Sequence, residues 1–149
     1  MNKPIPPFVP PLSYPGPPLV PSTHYRMSFT VGEHSARHVR RIVALHLLRW
    51  RMVELMDPAK LAVTELLSNV VRHVPDRRCE LVIRRQTHGV RVEVTDGSPE
   101  LPLLSVPDFE KESGRGLVLL DATVGKWGVE PAPGGGKTVW FECGVSACR

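Results

Sequence analysis

Four short segments of this chain carry residue types whose spacing could do chemistry. The first runs Glu65-Leu66-Leu67-Ser68-Asn69-Val70-Val71-Arg72-His73. At helical spacing, positions 65, 69, 72 and 73 fall on one face, three or four residues apart, and the opposite face is apolar. Asparagine is a middling-to-poor helix former, so Asn69 in mid-helix asks for a reason. An oxygen ligand for a hard cation would be one. Glu65, one turn earlier, could act as a general base on a hydroxyl or water. A solvated helix face accounts for the same segment taken by itself.

The second segment, Val92-Glu93-Val94-Thr95-Asp96-Gly97-Ser98, is an alternating strand that ends in Asp-Gly. An Asp at a strand end can point into a pocket and accept a hydrogen bond from an exocyclic amine. Asp-Gly is also a common turn. The third, Ser113-Gly114-Arg115-Gly116-Leu117, precedes a helical stretch. Its glycines let the backbone approach a ligand, a helix N-terminus attracts anions, and Arg115 could add a charge-assisted contact. It has neither a Walker Lys-Ser/Thr pair nor Rossmann spacing, and a flexible loop is the alternative. The fourth runs from Gly134-Gly135-Gly136-Lys137-Thr138 into Val139-Trp140-Phe141-Glu142. A loose turn entering a core strand explains it as well as a ligand role for Thr138.

These segments need elements to position them. Tyr25, Met27 and Phe29 alternate with polar residues, which predicts a strand over 25–30. Ala36, Val39, Val43, Leu47 and Trp50 recur at three- and four-residue steps, which predicts a helix over 33–52. Its other face carries His34, Arg37, Arg40 and Arg41 and reads as solvated. Asp57-Pro58 reads as an N-cap and first helical position, opening a helix that Pro75 stops after His73. Val63, Leu67, Val70 and Val74 form its inner stripe. Strands over 79–86 and 90–95 flank a Thr87-His88-Gly89 turn. A loop over 97–113, a short helix over 116–124 and strands over 125–130 and 137–143 complete the order. Strands joined by tight turns, with helices between them, predict an α+β fold. Its form is a two-layer sandwich with a mixed, mostly antiparallel sheet and helices on one face.

Composition narrows the function classes. The chain has 149 residues, 42% hydrophobic and 23% charged, with a formal net charge of +4. That is one globular domain, and too slight a positive excess, without a recognition-helix motif, to favour direct nucleic-acid binding. No apolar run is long enough to span a bilayer, and no basic-then-apolar leader is present, so a cytoplasmic setting without membrane contact is expected. Three cysteines without metal-type spacing fit a reducing compartment. Nine of the 16 prolines lie in the first 21 residues, which predicts an extended, disordered tail. The expected division is a Pro-rich tail over 1–24, a single domain over 25–145 and a C-terminal tail over 146–149.

Taken in order, the Glu-x3-Asn helix, the Asp-ended strand, the Gly-Arg-Gly helix start and the Gly-Lys-Thr strand resemble the GHKL (Bergerat-fold) ATP-binding superfamily. Within it, the chain looks most like the small bacterial anti-sigma-factor serine/threonine kinases. The resemblance spans about residues 25–143. It implies that ATP and Mg²⁺ are the cofactors and that Asn69 holds the metal. It makes Glu65 the base that activates the hydroxyl to be phosphorylated. It places Asp96 and Gly97 at the adenine, Asp96 on its amine, and Gly114 and Gly116 beside the phosphates. Thr138 falls near the adenine and the Asp96 water network, and Arg72, His73 and Arg115 are ancillary phosphate contacts. One departure stands out. The family's Asp-x-Gly-x-Gly reads Asp96-Gly97-Ser98-Pro99 here, with the glycine one place early and no second glycine.

The implied function is transfer of phosphate to a serine or threonine of an anti-sigma antagonist of STAS type, sequestration of a sigma factor, or both, with a homodimer as one subunit arrangement. The alternative is a catalytically weak ATP-binding module that acts by sequestration alone. A sensor histidine kinase would need a separate helical hairpin bearing the phospho-accepting histidine, which the Pro-rich tail does not supply.

Overall fold

The structure is a computed structural model that describes residues 23–99 and 124–144 of the chain. Strand β1 (His24–Thr30) leads into helix α1 (Ser35–Arg49). A single 3-10 turn (Val53–Leu55) then enters helix α2 (Met56–His73). Strands β2 (Arg78–Gln86), β3 (Gly89–Asp96), β4 (Lys126–Pro131) and β5 (Lys137–Gly144) follow. The strands form one sheet in the order β1-β2-β3-β5-β4. Among the described residues every hydrogen-bonded strand pair is antiparallel, where the sequence predicts a mixed, mostly antiparallel sheet. The α+β class and the layering are otherwise as expected. The predicted helix over 116–124, apart from Val124, and most of the preceding loop lie outside the described residues, as do most of the Pro-rich tail and the last five positions.

The elements form for local reasons and are held by one apolar layer. Val39, Val43 and Leu47 of α1 and Ala59, Ala62, Val63, Leu66, Leu67 and Val70 of α2 are buried against the sheet. From the sheet side, Leu81 and Ile83 of β2, Val90, Val92 and Val94 of β3, and Val139 and Phe141 of β5 meet them. Each strand sends alternate residues to this layer. Truncating a fully buried ring such as Phe141 would cost about 3–5 kcal/mol. The opposite sheet face is charged. There Arg91 stacks on the Trp140 ring at 4.1 Å and pairs with Glu142 at 2.9 Å and Glu93 at 3.4 Å.

Three boundaries differ from the sequence expectation. Helix α1 starts at Ser35, whose hydroxyl accepts the Gly32 N–H at 2.7 Å, and it stops at Arg49 because Arg51 adopts a left-handed φ of 58°. Helix α2 begins at Met56 with Leu55 as its N-cap, so Asp57 sits inside the first turn. It favours the helix dipole there without capping it. The β2–β3 turn is Thr87-His88 alone, since Gln86 already pairs with Gly89. Gly89 is glycine because a Cβ there would collide with the Cys143 carbonyl of β5.

Chain direction decides what comes together. Strand β1 ends, and β2 begins, at the same sheet end where β3 finishes in Asp96. Helix α1 runs away from that end and α2 returns to it, because α2 is followed almost at once by Arg78 of β2. The last turns of α2, from Asn69 to His73, therefore lie at the Asp96 end of the sheet.

Candidate functional site

The α2 flank is polar but not solvated throughout. Asn69 is buried, at 4% exposure, on the edge of the stripe formed by Ala62, Leu66 and Val70. Its Nδ2 has no hydrogen-bond partner among the described residues. A buried amide nitrogen left unpaired costs about 1–3 kcal/mol, so its place on the helix asks for a reason. Glu65, one turn earlier on the same flank, and His73, one turn later, are half-buried, and Arg72 is exposed. None of these three enters an ion pair among the described residues.

At the same end of the sheet, on its helix side, is a row of residues set by strand register. Cys79 of β2 is opposite Asp96 of β3, and Asp96 is opposite Lys137 of β5. All three are buried. Lys137 donates from Nζ to Asp96 Oδ1 at 3.0 Å, with side-chain exposures of 2% and 3%. The Ser98 N–H donates to the same oxygen at 2.9 Å, and Lys137 Nζ also reaches the Ser98 carbonyl at 3.4 Å. Burial first, and then the Asp96 charge, push the Cys79 thiol up to about 12, so it stays neutral at ordinary pH. Gly136 closes the row, since a Cβ there would strike the Asp96 carbonyl. The turn leading into it uses left-handed φ values of 90° and 96° at Gly134 and Gly135, which glycine adopts freely.

Thr138 is not part of this row. It pairs with Thr95, and the two hydroxyls lie 2.7 Å apart on the sheet face turned away from the helices. The residue on the Asp96 side is Lys137, one position earlier. The sequence held the signal: Lys137 is in phase with Val139 and Phe141, and strand alternation puts all three on one face. Lys137, Ser98 and Cys79 are thus the polar residues that the sequence reading missed. Gly97 follows Asp96 at the strand end and is exposed. Gly114, Arg115 and Gly116 lie outside the described residues.

Two cavities flank these groups. One, of about 350 Å³, lies at the strand end itself: Cys79, Asp96 and Gly97 line it together with Ser28, Thr30, Arg78, Glu80 and Thr95. The other, of about 250 Å³, lies between the start of α1 and α2, with Thr64, Ser68 and Arg72 in its wall. Neither contains Asn69 or Glu65. The strand-end row thus borders the first cavity through Cys79 and Asp96, and the α2 flank borders the second through Thr64, Ser68 and Arg72. The helix carries a carboxylate, Glu65, and an unsatisfied amide, Asn69, and the same end of the sheet carries the anchored carboxylate of Asp96. No cluster of three or more His, Cys, Asp or Glu suited to a metal occurs among the described residues. That donor set suits Mg²⁺, which takes one or two protein oxygens and fills its octahedron with water and phosphate oxygens. Asn69 fits it: the two ends of an amide are interchangeable by a flip, and this one has no competing partner.

An antiparallel sheet with two covering helices, and a helix-borne Glu-x3-Asn at the sheet end that carries a strand-end Asp, fits a nucleotide-binding α+β domain. The sequence pattern of the histidine kinase-, DNA gyrase B-, and HSP90-like ATPases matches residues 55–146, and the chain belongs to this family. An uncharacterized protein of Streptomyces coelicolor is 42% identical over 73 residues, which cover 46% of this chain and 69% of that protein. Domains of this family bind ATP, generally with Mg²⁺. No helix among the described residues is long and apolar enough to cross a membrane.

Proposed function

We propose that this chain is an ATP-binding regulatory protein of the anti-sigma-factor kinase type. It transfers phosphate to a serine or threonine of a STAS-type antagonist. The observation that carries the reading is the buried Asn69 amide nitrogen, without a partner among the described residues, one turn from Glu65 on the end of α2 that lies at the Asp96 end of the sheet. Asn69 would hold Mg²⁺, and the bound ion would neutralise phosphate charge. Asp96 would accept from the adenine amine, with Gly97 beside it. Arg72, His73 and Arg115 would steady the phosphates next to Gly114 and Gly116. Glu65 takes the proton of the acceptor hydroxyl as that oxygen bonds to the γ-phosphorus. The bond to the β,γ-bridging oxygen breaks, leaving ADP and a phosphoserine or phosphothreonine.

A second reading is ATP-dependent sequestration of a sigma factor without transfer. It is favoured by Lys137, which occupies one oxygen of Asp96, and by the Asp96-Gly97-Ser98-Pro99 departure. Calorimetric titration of ATP, with and without Mg²⁺, tests both readings at their common root. Micromolar binding that needs Mg²⁺ and is lost in Asn69→Ala is the expected result, and no binding by the wild-type chain would overturn both. Label transfer from ATP to a recombinant STAS-domain antagonist then separates them. Glu65→Gln should keep nucleotide binding and lose about 10²–10⁴-fold in transfer rate. Binding with no transfer by the wild type leaves sequestration.

A further inference from the structure

The buried ammonium of Lys137 is costly in the place it occupies. Its neighbours in the strand alternation, Val139 and Phe141, are apolar and buried, and an apolar residue at 137 would continue the core. A buried ion pair is often no more stable than well-packed apolar residues of the same volume. Stability alone therefore does not account for Lys137. The geometry around it is specific: Lys137 Nζ and the Ser98 N–H both land on Oδ1 of Asp96. Oδ2 has no partner among the described residues. Two donors on one oxygen fix the plane of the carboxylate, and Gly136 holds the β5 backbone against the Asp96 carbonyl. The result is a carboxylate with one anchored oxygen and one open acceptor.

We infer that Lys137 is a positioning residue for base recognition, orienting Asp96 so that Oδ2 receives the 6-amino group of an adenine nucleotide. The inference rests on the nucleotide reading above and deepens it. It also explains why the Asp96-Gly97-Ser98-Pro99 strand end works without the second glycine. The carboxylate is oriented from the neighbouring strand and from the Ser98 N–H, not by a glycine-rich turn.

The test compares ATP with purine riboside 5′-triphosphate, which lacks the 6-amino group, in calorimetric titrations of the full chain. A hydrogen bond to a charged acceptor makes a difference of about 10–100-fold in affinity, so the wild type should prefer ATP by that factor. Lys137→Met should bring the preference to within about threefold, and Lys137→Arg should keep most of it. If Lys137→Met weakens both nucleotides equally and leaves the preference intact, Lys137 is a structural residue only and the inference fails. A wild type that binds both nucleotides equally overturns it while leaving nucleotide binding in place. A wild type that binds neither overturns the nucleotide reading as well. A second readout needs no variant. The ¹⁵Nζ resonance of Lys137 should differ between the two bound states of the wild type, and identical resonances overturn the inference.

Discussion

Replacing Lys137 with methionine keeps an unbranched side chain in the slot and removes the charge. Asp96 is then buried with no cation beside it. Breaking a buried ion pair from one side costs about 3–5 kcal/mol, most of it the penalty of the charge left behind. The Ser98 N–H still donates to Oδ1, which places the loss near the lower end, at about 3 kcal/mol. For a chain of this length that is a fall in melting temperature of about 6–12 °C. Asp96→Asn in the same chain removes the stranded charge, so the double variant should return to within about 1 kcal/mol of wild type. Urea unfolding of the four proteins of this cycle measures the coupling directly. The pair is almost wholly buried, so most of the loss should also persist at about 0.5 M salt. The exposed Arg26–Glu80 pair is the control. It is shorter, at 2.8 Å, but its side chains are 56% and 36% exposed, and Arg26→Ala should cost under about 1 kcal/mol. A Lys137→Met chain within about 1 kcal/mol of wild type would refute the reasoning, because it would mean that Asp96 is solvated.

Two further outcomes follow from single side chains. Asn69→Ala removes a buried amide whose nitrogen is unpaired, so its urea midpoint should equal or exceed that of wild type even as nucleotide binding is lost; a loss of more than about 2 kcal/mol would show that the amide is satisfied in the fold. Cys79 has its thiol raised from 9.0 to about 12, so the folded chain keeps a proton that the unfolded chain releases. The stability from that difference is whole below about pH 9 and drains away as pH rises towards 12. Between about pH 7.5 and pH 10.5 the urea midpoint of wild type should fall further than that of Cys79→Ala, and equal falls would count against the assignment.

Much of this architecture could be read from periodicity, because burial on one face writes itself into residue spacing. The α1 and α2 stripes and the alternation of β3 and β5 place the same residues inside that the structure buries. What escaped was set by contacts between elements distant in sequence. Gly89 looks like a turn residue until β5 is laid against it, and Asp57-Pro58 looks like a helix start until the 3-10 turn from Val53 is in place. The site divides in the same way. Asn69 was legible as a poor helix former without a local reason, and its burial supplies the reason to look for a ligand. Thr138 drew attention by residue type, whereas parity already assigned the inner position to Lys137. A lysine in phase with Val139 and Phe141 is a charge directed into an apolar layer, and only an acidic partner from a neighbouring strand can make that tolerable. Asp96 was the one acid already singled out at a strand end, so the pair was implicit in two facts that had been read separately. In a strand, the face a residue occupies is a stronger guide to its role than the chemistry of its side chain.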